Sequence, residues 1–287
     1  MTGGPMPEYR PAADALVGVW QRALLVRPDG TRDAETNVTW VQGSSLYGDL
    51  RQPPGYPRHR GVLGLHNLGQ DHLLSLAAQE AFAGELQYGD GLFTWHREID
   101  FQPPGPFPDV GSLNTADGAL VDRTSPHPVD GVIVEEGRYA AYREHWQAGE
   151  RDRTDAAAAR LHGRLDGLAG ILVRVGSWFL YARDRHEPLT GTESLADRVL
   201  GAASLARARE LLDCEVSLGR VADGRWQVLR STLPHREGRP FPMLPTTDGK
   251  DCLCVQDVDA GGTVVPLVWE IVDCEGPGSL LAARGPC

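Results

Sequence analysis

Leu16-Val17-Gly18-Val19-Trp20-Gln21-Arg22-Ala23-Leu24 is the stretch on which the fold turns. A glycine, one spacer and a tryptophan open an apolar run. The same order returns in Arg174-Val175-Gly176-Ser177-Trp178-Phe179-Leu180-Tyr181-Ala182. Each copy reads as the start of a first strand in a small up-and-down β-barrel, whose narrow interior a few side chains can fill. Two copies predict two barrels in series. A barrel of this size holds at most one small ligand, so the repeat bears on function as well as on fold.

A chain of 287 residues is long enough for two such domains. The formal charge of −11 speaks against nucleic acid and anionic membrane surfaces as partners. No apolar run approaches the roughly 20 residues that span a bilayer. Residues 1–11 are polar and rich in Pro and Gly, without the basic-then-apolar order of a signal peptide, so a cytoplasmic protein is expected. Cys214, Cys252, Cys254, Cys274 and Cys287 are odd in number, and Cys252 and Cys254 have one spacer where zinc and redox motifs use two. Neither a disulfide framework nor a metal site is expected.

Short strand-like segments separated by turns argue for a mainly β protein. Pro28-Asp29-Gly30, Gly89-Asp90-Gly91 and Glu136-Gly137 supply residues that tolerate positive φ. Within the first half, Leu73, Leu74, Ala77, Ala78 and Ala81 keep helical spacing and predict a helix over 70–82. Residues 148–168 change character: a charged run leads into Ala156–Ala159 and the stripe Leu161, Leu165, Leu168, which predicts a helical linker. A further helix is predicted over 193–211. The expected organisation is two antiparallel β-barrels in tandem, each with an inserted helix: barrel one over 1–147, a helical linker over 148–167, and a smaller barrel two over 168–287.

Alternation sorts strand side chains by face. From Phe93 to Phe101 one face carries Phe93, Trp95, Arg97, Ile99 and Phe101, and the other carries Thr94, His96, Glu98 and Asp100. The apolar set is assigned to the interior. Tyr142, Glu144 and Trp146 share a second interior face, Val38, Trp40 and Gln42 a third, and Trp20 and Arg22 a fourth. Leu46 to Arg51 is ambiguous, with Tyr47, Asp49 and Arg51 opposed to Leu46, Gly48 and Leu50. Buried charges are costly unless paired, so Arg97 and Glu144 are expected to meet each other or a ligand. The strands after Trp178 offer Trp226 and Trp269 with few convergent charges, which makes the first half the expected site and the second its support.

No G-x-S-x-G elbow, H-E-x-x-H, G-x-G-x-x-G or phosphate-binding loop is present, so no cofactor is expected. His96 and His145 fall opposite Trp95 and Trp146, on outer faces, His66 and His72 flank the predicted helix, and His235 lies in a loop context, so a haem on a barrel histidine is not expected. Catalysis would then rest on Glu144 or Asp49 as acid or base, with Arg97 or Tyr142 as electrostatic stabiliser. Trp20, Arg22, Trp40, Gln42, Tyr47, Arg51, Trp95 and Trp146 would line the ligand, a small apolar or amphipathic molecule. The reading is a cofactor-independent cyclase, isomerase or lyase. A carrier or sensor without catalysis is the alternative, and a structural or partner-binding protein is the second. A barrel interior filled by its own side chains would remove both the enzyme and the carrier readings. A homodimer stays open.

The runs W-Q-R at 20–22, T-W-V-Q at 39–42, S-L-Y-G-D-L-R at 45–51, T-W-H-R-E-I-D-F-Q-P at 94–103 and Y-R-E-H-W at 142–146 resemble a group of uncharacterised bacterial proteins. Y-R-E-H-W and A-G-I-L-V-R-V-G-S-W at 169–178 are similar to a fungal family built from two lipocalin-like barrels and named for binding a casein kinase. The resemblance implies lipocalin-like, calycin-type halves, in which a G-x-W tryptophan plugs the closed end and often packs under an arginine. It implies no reaction. Cyclases of natural-product pathways share the two-barrel architecture alone, and fold does not give function.

Overall fold

The computed structural model describes residues 10–11, 14–56, 61–116, 118, 121, 131–149, 155–244 and 252–282. Eight strands follow one another in the first half: β1 (Gly18–Val26), β2 (Asn37–Gln42), β3 (Leu46–Gln52), β4 (Glu80–Gly89), β5 (Leu92–Asp100), β6 (Val110–Thr115), β7 (Val132–Gly137) and β8 (Arg143–Ala148). Each pairs antiparallel with the next, and β8 returns to β1 to close the barrel. Arg10–Pro11 and Arg32–Asp33 add two-residue strands on β4 and β1. Helix α1 (Gln70–Leu76) lies between β3 and β4.

Eight more strands form the second half: β9 (Ala156–Gly163), β10 (Ala169–Val175), β11 (Trp178–Arg183), β12 (Glu215–Ala222), β13 (Arg225–Ser231), β14 (Met243–Leu244), β15 (Cys252–Val258) and β16 (Val264–Glu275). Here too the last strand pairs with the first, β16 with β9. Between β13 and β14 only a single bridge, Gln227 to Pro240, joins the edges, so this barrel is curled but not closed. Helices α2 (Leu195–Leu200) and α3 (Leu205–Leu211) stand between β11 and β12, the same third-to-fourth-strand position that α1 holds in barrel one. The molecule is mainly β, with tandem barrels and helices at matching places.

Three expectations need correction. The helical linker is not there: Ala156–Gly163 is the first strand of barrel two, hydrogen-bonded to β10 and β16. Alanines favour helix in isolation, but Ala157, Ala158 and Ala159 are buried between neighbours, and packing overrides propensity. Barrel two thus begins before 168, while 150–154 lie outside the described residues. The second Gly-x-Trp does not open a first strand either. Gly176, at φ +55°, makes the β10–β11 turn, and Trp178 sits half-buried under the Arg220 guanidinium, 3.9 Å from its ring centre. Finally, the helix over 193–211 is two, because Ser204 caps a new start by accepting from the Arg207 N–H.

The barrels pack side to side through one apolar core. Val19, Val41, Leu46 and Leu50 of barrel one meet Ile171, Val173, Val175 and Leu180 of barrel two, with Leu73, Leu195 and Leu211 of the helices closing the edge. At Gly48 the barrels approach closely, and a Cβ would stand 2.1 Å from a Leu180 methyl carbon. Glu275, at the end of β16, accepts from the Ser45 and Leu46 amides and so caps the β2–β3 turn. No helix is long and apolar enough to cross a membrane, among the described residues.

Candidate functional site

Barrel one divides along its axis. The end where β1 begins is filled by indoles: Trp40 stacks on Trp20 (5.9 Å between ring centres, 27°) and meets Trp95 and Trp146 edge-on at 6.2 and 5.5 Å. Trp20 donates to the Leu16 carbonyl at 2.8 Å, and Trp40 to Gln42 Oε1 at 3.0 Å, with Gln42 anchored in turn on the Gly43 carbonyl. Trp20, Trp40 and Trp146 are 1% exposed, and Leu86, Phe93, Leu113 and Ile133 not at all. A ring beside a void wide enough for water would show more surface than this, so the lower interior is packed with its own side chains. These tryptophans and Gln42 hold the barrel together and leave no room for a ligand among them. The Trp20 ring is covered by Trp40.

Above the indoles lies a buried ion network. Arg22 reaches Glu144 at 2.7 Å and Asp33 at 2.8 Å, while Arg51 reaches Asp49 at 3.0 Å and Glu144 at 3.3 Å. Arg51 also stands over the rings of Phe82 and Trp146, at 5.1 and 5.9 Å. Parity is resolved here: Tyr47, Asp49 and Arg51 face in, and Leu46 and Leu50 face barrel two. Burial raises the Asp49 carboxyl above its ordinary range, with Arg51 opposing. Asp49 and Glu144 are thus engaged by arginines rather than turned to open space.

Arg97 and Tyr142 belong to a different place. Arg97 does not meet Glu144, as expected from the sequence; it pairs with Asp100 at 3.1 Å and Asp109 at 2.7 Å, its guanidinium 3.6 Å over the Phe82 ring. The cause is a bulge. Gly84 opposes Arg97 and Ala83 opposes Ile99, so one residue of β5 is skipped and the faces exchange. Asp100 therefore turns in, while Ile99 and Phe101, assigned to the interior by simple alternation, join the core between the barrels. Gly84 is required there, since a Cβ would fall 1.8 Å from the His96 carbonyl oxygen.

These residues line a cleft of about 490 Å³ at the mouth formed by the β5–β6 and β7–β8 connections. Its walls are Trp95, Pro104, Pro106, Phe107 and Pro108, with Phe107 stacked on Tyr139 outside, and its polar groups are Arg97, Asp100, Asp109 and Tyr142. The residue that sequence reasoning missed lies directly behind. The Tyr142 hydroxyl is 2.5 Å from Glu135 Oε1 and 3.2 Å from Asp109 Oδ1, and the Trp146 indole donates to Glu135 Oε2 at 3.0 Å. Burial, reinforced by the charges of Glu144 and Asp109, pushes Glu135 up to about 8. Burial also raises the Tyr142 phenol, with Glu135 and Asp109 adding to it. Glu135 shares a strand face with Ile133, a signal the sequence did carry. Tyr47, under Phe82, has a fully buried hydroxyl without a hydrogen-bond partner.

Barrel two is not poor in convergent charges, contrary to the sequence reading. Arg183 pairs with Asp213 (2.5 Å) and Asp257 (3.1 Å), and Arg236 with Glu215 (2.9 Å) and Asp257 (2.7 Å). Among the described residues, each barrel thus holds a network of two arginines and three carboxylates. His235, expected on a loop surface, is buried without a partner on either nitrogen, and burial lowers it to about 3.

No family model matches the chain, and no curated protein matches it. Among solved structures it is similar to an uncharacterised protein of Saccharomyces cerevisiae, YLR301w, at 14% identity and a TM-score of 0.48, over 93% of this chain and 99% of that one.

Proposed function

We propose that the mouth cleft of barrel one carries out cofactor-free proton transfer on a small, largely apolar molecule, in a reaction of the isomerase, cyclase or lyase kind. The observation that carries this reading is a buried carboxyl raised to about 8 and hydrogen-bonded to a phenol that opens into a cleft. Below that pH Glu135 holds a proton and donates it to the Tyr142 oxygen, which leaves the phenol hydrogen to Asp109 Oδ1 or to a substrate in the cleft. Tyr142 is then the general acid, Glu135 its proton reserve, and Arg97 the cation beside developing negative charge. Trp95 and the proline wall hold the apolar part of the substrate and keep water away. Glu144 and Asp49, with Arg22 and Arg51, act as a fixed charge layer beneath. The same reading makes the chain a cytoplasmic bacterial protein of the lipocalin-like two-barrel group, related to the fungal casein-kinase-binding family, with natural-product biosynthesis as its setting.

The test is incubation of the protein with extracted metabolite pools in D2O, followed by chromatography and mass spectrometry. Wild type should convert a compound with deuterium incorporated, and Tyr142→Phe should lower the rate about 10²- to 10⁴-fold. Retention of a compound without conversion would replace this reading with a carrier or sensor. The packed interior favours a second reading, a structural or partner-binding protein, and neither conversion nor retention would select it.

A further inference from the structure

A second groove opens where the barrels meet. Gly61 and Val62, before α1, face β13 and the Gly238 turn across a cleft of about 510 Å³, and a smaller one of about 220 Å³ adjoins it. Leu229, Arg230 and Glu237 line both. Arg22, Arg51, Arg183 and Arg236 each sit against two carboxylates. Arg230 has none within ion-pairing distance among the described residues. It donates only to the Asn37 carbonyl at 2.9 Å and to the Thr39 hydroxyl, both of barrel one.

The carboxylates whose charges reach it are already engaged: Asp49 pairs with Arg51 at 3.0 Å, and Glu237 Oε1 accepts from Gln52 Nε2 and the Ser231 amide, each at 3.2 Å. A second cation, Arg239, lines the groove and donates to the Val62 carbonyl. Burial without a close counter-ion pulls the Arg230 guanidinium down to about 10, which leaves it cationic at neutral pH. In a chain of charge −11, a half-buried cation facing empty space from two sides is a place for an anion. Val62, Trp178, Leu229 and Pro234 supply the apolar part of the lining, beside the polar groups of Arg230, Glu237 and Arg239.

We propose that the groove between the barrels binds an anionic amphiphile, its carboxylate or phosphate on Arg230 and its apolar body along Val62, Trp178, Leu229 and Pro234. The site is separate from the mouth cleft, and its test uses ligands rather than turnover. Full-length protein is titrated calorimetrically with sodium decanoate and with decyl phosphate, with decanol as the uncharged reference. Both anions should bind more tightly than decanol, and the tighter of the two identifies the headgroup. Arg230→Gln should weaken the anion at least tenfold and leave decanol unchanged. Because Arg230 also ties the barrels together, Leu229→Glu provides a second route: it changes an exposed side chain and places a carboxylate beside the guanidinium, and should weaken the anion as strongly. Trp178→Phe should abolish the ligand-induced change in tryptophan fluorescence. Decanol binding as tightly as the anions, anion binding unchanged in folded Arg230→Gln or in Leu229→Glu, or no saturable anion binding below about 1 mM would overturn the proposal.

Discussion

Glu135 shows how much one side chain can say about both stability and chemistry. Its carboxyl is near 4.5 in the unfolded chain and about 8 in the folded one, so folding favours its protonated form. The stability this contributes is complete below about pH 4.5 and is lost as pH rises toward 8, because only the unfolded state releases the proton over that interval. Glu135→Gln cannot ionise. Thermal melts should show the variant matching wild type near pH 5 and exceeding it at pH 9; a wild-type advantage at pH 9 would contradict the buried, protonated carboxyl. His235 has the opposite sign. Its folded value of about 3 lies below the ordinary 6.5, so the stability it contributes is present above 6.5 and lost as pH falls toward 3. His235→Leu should therefore flatten the acid limb of the stability curve, and an acid midpoint unmoved by that change would show the histidine solvated.

At the scale of the element, β5 and its bulge decide which chemistry faces the mouth. Simple alternation placed Phe93, Trp95 and Arg97 correctly, and failed at Ile99 and Asp100, because one extra residue reverses every face beyond it. Gly84 was the visible hint, an isolated glycine in a strand whose Cβ would meet the His96 carbonyl. Gly84→Ala should cost about 2–3 kcal/mol in chemical denaturation and detach Arg97 from Asp100 and Asp109. The indole cluster is the complementary case. Aromatic spacing alone brought Trp20, Trp40, Trp95 and Trp146 into one interior, but whether they lined a pocket or filled it depended on ring contacts that no spacing specifies. Trp40→Ala should cost about 3–5 kcal/mol and open a dry cavity among the remaining indoles, measurable as new xenon binding. A smaller loss without such binding would mean that the neighbouring rings collapse inward. Glu135 was missed although alternation puts it on the face of Ile133, because alternation places a side chain inside without showing that Tyr142 and Trp146 reach it across strands.

For the whole molecule, the duplication was legible although its supposed mark was not. Gly176-Ser177-Trp178 repeats the letters of Gly18-Val19-Trp20 but occupies a turn, and the true correspondence lies in strand order and helix position, which sequence similarity between the halves does not preserve. The consequence for stability follows from where the apolar surface goes. Val41, Leu46 and Leu50 on the outer wall of barrel one share one apolar core with Ile171, Val173 and Leu180 of barrel two. Either barrel alone would expose that wall to water, at about 25 cal/mol for each Å². The barrels should therefore unfold together, in one calorimetric transition whose van't Hoff and calorimetric enthalpies agree. Gly48→Val tests the coupling, because its side chain must displace Leu180 of the other barrel. Such overpacking typically costs about 1–3 kcal/mol. If the interface is common to both barrels, the variant lowers the melting temperature of that single transition as a unit. Two separated transitions, with only the first shifted, would mean that each barrel stands on its own core and that the shared layer of Leu46, Leu50 and Leu180 is a contact rather than a foundation.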